Sequence, residues 1–309
     1  MKIILFFFLI LFLYCPISNS KEIDSNLNLQ KAIEISLEKN PQLKIALAQV
    51  DIMKANVKDS KSNYYPRIET RIVIPFVARE SGFFLDQLIW DFGRTSNLIK
   101  VAKAELESSK YSNDLSTQNI ILITITSYFT VLTVQQNLIS LEKKFEEQNL
   151  KLIKSKALLD LGRITHNDLV RSELDVAKSK IELINAKNNL ETSKLNLLNT
   201  MGLDQEFKFK IDESAEHELI EIDLDNSINS ALEKRPDLKA LSANQKAAEA
   251  NFSISKKEFY PTILGRTAYR FKGKDATTPA FIAGVGLRFP IFLGFSRFAK
   301  LDESRARLK

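Results

Sequence analysis

Tyr65-Pro-Arg-Ile-Glu-Thr-Arg-Ile-Val-Ile-Pro-Phe-Val-Ala-Arg-Glu-Ser-Gly-Phe-Phe-Leu-Asp-Gln-Leu-Ile-Trp-Asp-Phe-Gly93 is the stretch that decides the fold. A helical pattern runs into Tyr65-Pro66. Arg67 to Phe76 then alternates: Ile68, Thr70, Ile72, Ile74 and Phe76 share one face, and Arg67, Glu69, Arg71 and Val73 the other. Period two over that length is a strand signal. Ala78-Arg-Glu-Ser-Gly82 is turn-like, and Phe83 to Trp90 is a less regular strand. A long helical pattern starts after Asp91-Phe-Gly-Arg94. The stretch is a β-hairpin set between helices.

The chain makes this insert twice. Shifted by 195 residues, Leu37-Glu-Lys-Asn-Pro-Gln-Leu-Lys44 aligns with Leu232-Glu-Lys-Arg-Pro-Asp-Leu-Lys239, and Tyr65-Pro66 with Tyr260-Pro261. Residues 27–66 and 222–261 share 15 identities in 40 positions, which marks an internal duplication. In the second copy Ile263, Gly265, Thr267, Tyr269 and Phe271 oppose Leu264, Arg266, Ala268 and Arg270. Phe281, Ala283, Val285, Leu287 and Phe289 oppose Ile282, Gly284, Gly286 and Arg288, and Phe292-Leu-Gly294 opens the next helix. Gly93 and Gly294 lie 201 apart, so the second hairpin is six residues longer, placed in the turn from Gly273 to Pro279. More than a hundred helical residues follow Gly93 but fifteen follow Gly294. The repeat therefore predicts a further helical arm, absent here.

Both repeats carry a proline (Pro41, Pro236) inside the helical pattern before the hairpin, which predicts a short helix and then a longer one starting at the proline. Leu27 to Ser62 reads as helical. From Arg94 to about Leu161 there is no Pro or Gly, and such a helix would be about 100 Å long. Val134, Leu138, Leu141, Phe145, Leu152 and Leu159 follow a four-three spacing, with polar gaps at Gln148 and Ser155. After Gly162 the stripe Val170, Leu174, Ala177, Ile181 and Ile184 continues the spacing, returning at Leu195 and Leu198. Heptad packing of this kind predicts an antiparallel helical hairpin.

Composition is that of a folded chain: 309 residues, 44% apolar and 27% charged. Lys2, the apolar Ile3 to Tyr14 and Ser18-Asn-Ser20 read as a signal peptide, with an uncleaved anchor as the alternative. Cys15 raises lipidation, against which stands the bulky Tyr14. Cleavage after Ser20 would remove the only cysteine. The net charge of +6 is spread over mixed Lys and Glu faces, which argues against a nucleic-acid partner. No later segment has eighteen consecutive apolar residues, so a membrane-spanning role would need a barrel. Four strands of this length with one apolar face fit a membrane barrel, or a soluble sheet packed on that side.

Catalysis gets no support. His166 and His217 lack a second ligand at metal spacing, and no phosphate loop, nucleophile elbow or paired-carboxylate site stands out, so no cofactor or metal is expected. Two surfaces remain. The hairpin tip Leu161-Gly-Arg-Ile-Thr-His-Asn-Asp-Leu169 reads as a helix end at Gly162 followed by an N-cap at Thr165 or Asn167, and equally as a docking tip. Arg67, Arg71, Arg266, Arg270 and Arg288 share the polar strand faces; simple solvation or pairing with Glu69 competes with a role in favouring anions.

The signal peptide, the duplicated helix–hairpin–helix and the long helical hairpin together resemble the TolC family of outer-membrane efflux proteins. Leu85-Asp-Gln-Leu-Ile-Trp-Asp-Phe-Gly-Arg94 and Phe289-Pro-Ile-Phe-Leu-Gly294 resemble its strand exits into long helices. Leu161-Gly162, Thr165, Asp168 and Leu169 resemble its adaptor-docking tip. The resemblance implies a mainly α fold with a small β part. Long antiparallel coiled-coil helices would form a periplasmic α-barrel, and four transmembrane strands per chain would contribute to a twelve-strand barrel in a homotrimer. It implies an outer-membrane exit duct of a tripartite efflux or type I secretion system, a passive non-enzyme working with a periplasmic adaptor and an inner-membrane pump. The adaptor-docking residues would be Gly162, Ile164, Thr165, Asp168 and Leu169; the lumen residues would be Arg67, Arg71, Arg266, Arg270 and Arg288.

The expected organisation is a signal peptide (1–20), first-repeat helices (21–64), a hairpin (65–93), a long helical hairpin (94–202), a connector (203–222), second-repeat helices (223–260), a second hairpin (261–293) and the start of a second long helix (294–309). Against the family pattern the chain is C-terminally truncated, and as such is not expected to form a sealed trimer. The rival reading is a periplasmic coiled-coil adaptor or scaffold whose strands form a soluble domain.

Overall fold

The computed structural model describes residues 26–72, 81–212, 223–271 and 281–309. The expectations that fall on the signal peptide, Cys15, the two hairpin turns and His217 lie outside them. Among the described residues the order is β1 (Asn26–Leu27), α1 (Leu29–Lys39), α2 (Pro41–Ser62), β2 (Arg67–Arg71), β3 (Gly82–Trp90), α3 (Arg94–Asp160), α4 (His166–Met201), β4 (Lys210–Ile211), α5 (Leu224–Lys234), α6 (Pro236–Lys257), β5 (Thr262–Arg270), β6 (Phe281–Arg288) and α7 (Ser296–Leu308). The fold is mainly helical with a small sheet part. The repeat is visible in the elements: α1 and α2 shifted by 195 residues give the bounds of α5 and α6. Each long helix begins at its proline, whose missing N–H costs nothing in a first turn.

Two compact units divide the chain, one holding residues up to 40 and 120–218, the other 41–119 and 219–309. α3 is continuous through both. No Pro or Gly interrupts it, and Thr124, Thr126, Thr130 and Thr133 each donate to the carbonyl four residues earlier.

In the first unit, α3 and α4 run antiparallel. Ser155 Oγ lies 2.9 Å from Ser172 Oγ, and Lys144 Nζ lies 2.7 Å from Glu182 Oε2, so numbers rise along one helix as they fall along the other. On α3 the inward seam is 134, 138, 141, 145, 148, 152, 155 and 159, the expected stripe with its polar gaps filled. On α4 the seam differs from expectation. The shielded positions are Leu169, Ser172, Val176, Ser179, Leu183, Ala186 and Leu190, whereas Val170, Leu174, Ala177, Ile181, Ile184 and Leu195 stand exposed. Along this seam Leu169, Val176, Leu183 and Leu190 alternate with the small Ser172, Ser179 and Ala186, and the second apolar stripe is left outside.

The core of this unit gathers Leu27, Ala32, Tyr128, Val131, Leu190, Leu197, Leu198 and Met201. Leu27 is not in the helix, as the pattern suggested. Asn28 caps α1 through its side chain, and Leu27 pairs in parallel with Ile211. The connector thus carries a strand, β4, and Phe207 and Phe209 pack on the core.

In the second unit, β2, β3, β5 and β6 form one antiparallel sheet in that order, which leaves β2 and β6 as its edges. The start of α3 packs antiparallel on α6 through Val101, Ala104, Ala247, Ala250 and Ile254. Asp91 starts α3, its carboxylate accepting from the N–H groups of Gly93 (3.0 Å) and Thr95 (2.6 Å). The sheet-to-helix exits each use two left-handed residues, Phe92 and Gly93 before α3, Gly294 and Phe295 before α7. Conformation therefore pairs Phe92 with Gly294, a shift of 202, one more than the glycine-to-glycine match.

Candidate functional site

Register assigns each strand residue to a face. Arg67, Asp86, Arg266 and Gly284 lie in one row across the sheet; Arg71, Gly82 and Arg270 lie in another; Thr262 pairs with Arg288. The five arginines expected to share a face do so. Glu69 and Asp86 join them, so every charged residue of β2, β3, β5 and β6 is on this side. The opposite side has Ile68, Thr70, Phe83, Leu85, Gln87, Ile263, Thr267, Tyr269, Phe281, Ala283, Val285 and Leu287. It is exposed: Ile68 is 70% accessible, Val285 72% and Leu287 68%.

A bulge between Leu88 and Trp90 completes this segregation. It resets the alternation so that Trp90 pairs with Ile263 on the apolar side. Ile89 leans over Gly265, where an added Cβ would come within 3.3 Å of its Cδ1. The same bulge explains why 83–90 looked irregular and why Asp86 was missed. Read in step with Phe84 and Leu88 alone, Asp86 falls on the arginine side.

Asp86 anchors that side. Arg266 clasps it with both prongs, Nε to Oδ1 at 2.6 Å and Nη2 to Oδ2 at 3.1 Å, so the carboxylate partner is Asp86 rather than Glu69. Arg67 Nη2 donates to Asn63 Oδ1 at 2.8 Å, and the Arg71 guanidinium lies 5.1 Å from the Phe84 ring centre. Arg270 Nε is buried and has no hydrogen-bond partner among the described residues. An open hollow of about 410 Å³ runs along this face, lined by Arg67, Asp86, Arg266 and Arg288 and reaching Arg94 and Thr95 at the start of α3.

Aromatic side chains cluster at the helix-proximal strand ends: Tyr65, Trp90, Tyr260, Phe289 and Phe292, all more than half exposed. Phe92 stacks on Tyr260 with ring centres 5.4 Å apart.

At the hairpin tip, Gly162 takes φ +66° and closes α3. The N–H groups of Gly162 and Arg163 bond back to the carbonyls of Leu159 (2.8 Å) and Leu158 (2.9 Å). Thr165, not Asn167, caps α4. Asp168 N donates to Thr165 Oγ1, and Asp168 Oδ2 accepts from the Thr165 N–H (3.0 Å) and hydroxyl (2.7 Å). These bonds hold the Asp168 carboxyl below the usual carboxylate range. Ile164 and Leu169 are half-buried, and Leu161 is 72% exposed. Among the described residues no three His, Cys, Asp or Glu side chains are grouped to hold a metal.

The fold has solved counterparts. It superposes on the Campylobacter jejuni CmeC outer membrane channel with a TM-score of 0.76 at 16% identity, covering 91% of this chain and 65% of that one. The Vibrio cholerae outer membrane protein VceC gives 0.71 at 16% identity, covering 91% and 72%. The open-state Neisseria gonorrhoeae MtrE outer membrane channel gives 0.68 at 17%, covering 91% and 67%. The family model described as Outer membrane efflux protein matches residues 227–309. The chain has the fold of these outer membrane channels. The chain spans about two thirds of the length of these channels. No curated protein sequence matches it. Both the CmeC and MtrE counterparts are described as outer membrane channels.

Proposed function

We propose that the chain is a subunit of an outer-membrane exit duct serving a tripartite efflux or type I secretion system. The observation that carries this reading is the sheet. All its charges lie on one face, and the other face is apolar and bare. Such segregation suits a wall with lipid on one side and water on the other. The aromatic side chains at the helix-proximal ends suit an interfacial belt. Four strands with two open edges suit closure by copies of the same chain, and three copies make twelve strands with Arg67, Arg71, Arg266, Arg270 and Arg288 facing the lumen.

The helices would build the periplasmic tunnel. The exposed stripe Val170, Leu174, Ile181 and Ile184 supplies an apolar flank for helices of neighbouring copies. The tip around Gly162, Ile164, Thr165, Asp168 and Leu169 would meet a periplasmic adaptor, which joins the duct to an inner-membrane pump that supplies the energy. The adaptor or scaffold reading would require the apolar sheet face to be covered within a soluble domain.

Single cysteines at Ala283, Gly284, Val285 and Gly286, labelled with an environment-sensitive dye in membranes, test the reading. Brominated lipid should quench positions 283 and 285 and spare 284 and 286. Equal quenching along β6, or none, would favour a soluble sheet.

A further inference from the structure

We infer that the arginine face of the sheet is a binding site for multivalent oxyanions, with Asp86 as its built-in competitor. The inference rests on the reading of this face as the lumen and deepens it by naming a class of cargo group: phosphate-like, carrying two or more negative charges.

Five arginines stand against two carboxylates, Glu69 and Asp86. The surplus of three positive charges per chain is concentrated on strands eight or nine residues long or shorter. Guanidinium groups match oxyanions because their planar donors engage two oxygens at once. Asp86 demonstrates that geometry, its carboxylate occupying both prongs of Arg266 as an oxyanion would. Arg67, Arg266 and Arg288 line the same hollow as this carboxylate.

Space for a ligand lies beside them. On β6 the positions flanking Arg288 and Arg266 on this face are Gly286 and Gly284. Neither has a left-handed φ. A Cβ at Gly284 would meet nothing within 4 Å, and one at Gly286 only the Leu264 carbonyl oxygen at 3.9 Å. Backbone strain and crowding therefore do not call for glycine here. The two glycines leave open space on the side of the sheet that carries the arginines.

The test uses the full chain purified in detergent and labelled with ¹⁵N-arginine, titrated with inorganic pyrophosphate at constant ionic strength set with chloride. The expected result is saturable binding, with Nε–H shifts at Arg67, Arg71, Arg266 and Arg288 and none at Arg305 on α7. Arg67→Ser with Arg288→Ser should weaken binding by about tenfold or more. Asp86→Asn should tighten it, because Arg266 is released. Shifts spread evenly over all arginines, non-saturable behaviour, or undiminished affinity in the double variant would overturn the inference. The wild-type shift map decides the matter by itself if a variant fails to fold. The lipid-quenching pattern along β6 is read separately. Alternating quenching without pyrophosphate binding sinks this inference and leaves the duct standing.

Discussion

The phenolic oxygen of Tyr128 lies 2.8 Å from the main-chain carbonyl oxygen of Asp212. It also lies 3.0 Å from that of Leu27. One buried hydroxyl on α3 therefore clips together the ends of β1 and β4, strands of two residues each that could not hold by themselves. Tyr128→Phe keeps the ring and its packing but removes the hydroxyl donor shared by these carbonyls, leaving Leu27 O the Asp212 N–H at 3.1 Å. We expect a loss of about 1–2 kcal/mol in urea unfolding. Burial, and then the Asp212 charge, push the Tyr128 hydroxyl above its ordinary pKa. A raised folded value means this contribution is complete below about pH 10 and is lost as pH rises through the folded value. The wild type should thus lose stability in that alkaline window more steeply than the Phe variant.

Gly202 and Gly162 both have left-handed backbones, yet they should respond differently to alanine. At Gly162 a Cβ meets nothing within 4 Å, so only conformational strain of about 1 kcal/mol is expected. At Gly202 a Cβ would sit 2.7 Å from the Lys39 carbonyl oxygen, at the joint where Asn40 Nδ2 donates to Thr200 O at 2.7 Å. Strain and overpacking together should cost about 3 kcal/mol or more. Thermal unfolding of the two variants checks the ranking.

Thr165→Ala removes the cap of α4 and should lower the melting temperature by roughly 2–4 °C. The Asp168 carboxyl is held low by the Thr165 hydroxyl and N–H. A depressed folded value stabilises above the ordinary carboxylate pKa and loses that effect as pH falls through the folded value. Below about pH 3.8 the difference between wild type and the Thr165→Ala variant should shrink, as acid melts of both would show.

The helical hairpin was legible in its existence and only half legible in its packing. On α3 the seam from Val134 to Leu159 followed directly from spacing. On α4 two apolar stripes lie side by side, and the pattern favoured the bulkier one. The structure turns inward the stripe in which Leu169, Val176, Leu183 and Leu190 alternate with Ser172, Ser179 and Ala186. Periodicity reports that a face is apolar but not what will cover it. Strands β1 and β4 were invisible for another reason: two residues carry no period. The arginine face was readable from alternation alone, while Asp86 was hidden by a bulge that no spacing rule announces.

Because Leu174 and Ile181 are half exposed or more in the chain by itself, Leu174→Asp with Ile181→Asp should leave helical circular dichroism unchanged. If neighbouring copies cover this stripe, the same variant should fail to assemble. Cross-linking or light scattering in detergent would reveal the loss of the oligomer alongside an intact fold.

Neighbouring positions on β6 should differ sharply in their tolerance of charge. Val285→Lys places an ammonium on the bare apolar side, where about 2–4 kcal/mol is expected near a bilayer midplane. Gly284→Lys lies on the arginine side, where a Cβ meets nothing within 4 Å, and should insert normally. Recovery of each variant in the membrane fraction distinguishes them.

The two open edges of the sheet bear on kinetics. β2 and β6 each present a row of backbone groups that no other described strand of the chain pairs with. In hydrocarbon every such group costs several kcal/mol. If the sheet enters a bilayer as proposed, a solitary chain faces a barrier that falls when another chain arrives to share the edge. Entry into the bilayer becomes a reaction of higher than first order. Its rate should rise faster than in proportion to the amount of chain at the membrane, and a cell making little of this protein would wait disproportionately long for each finished pore.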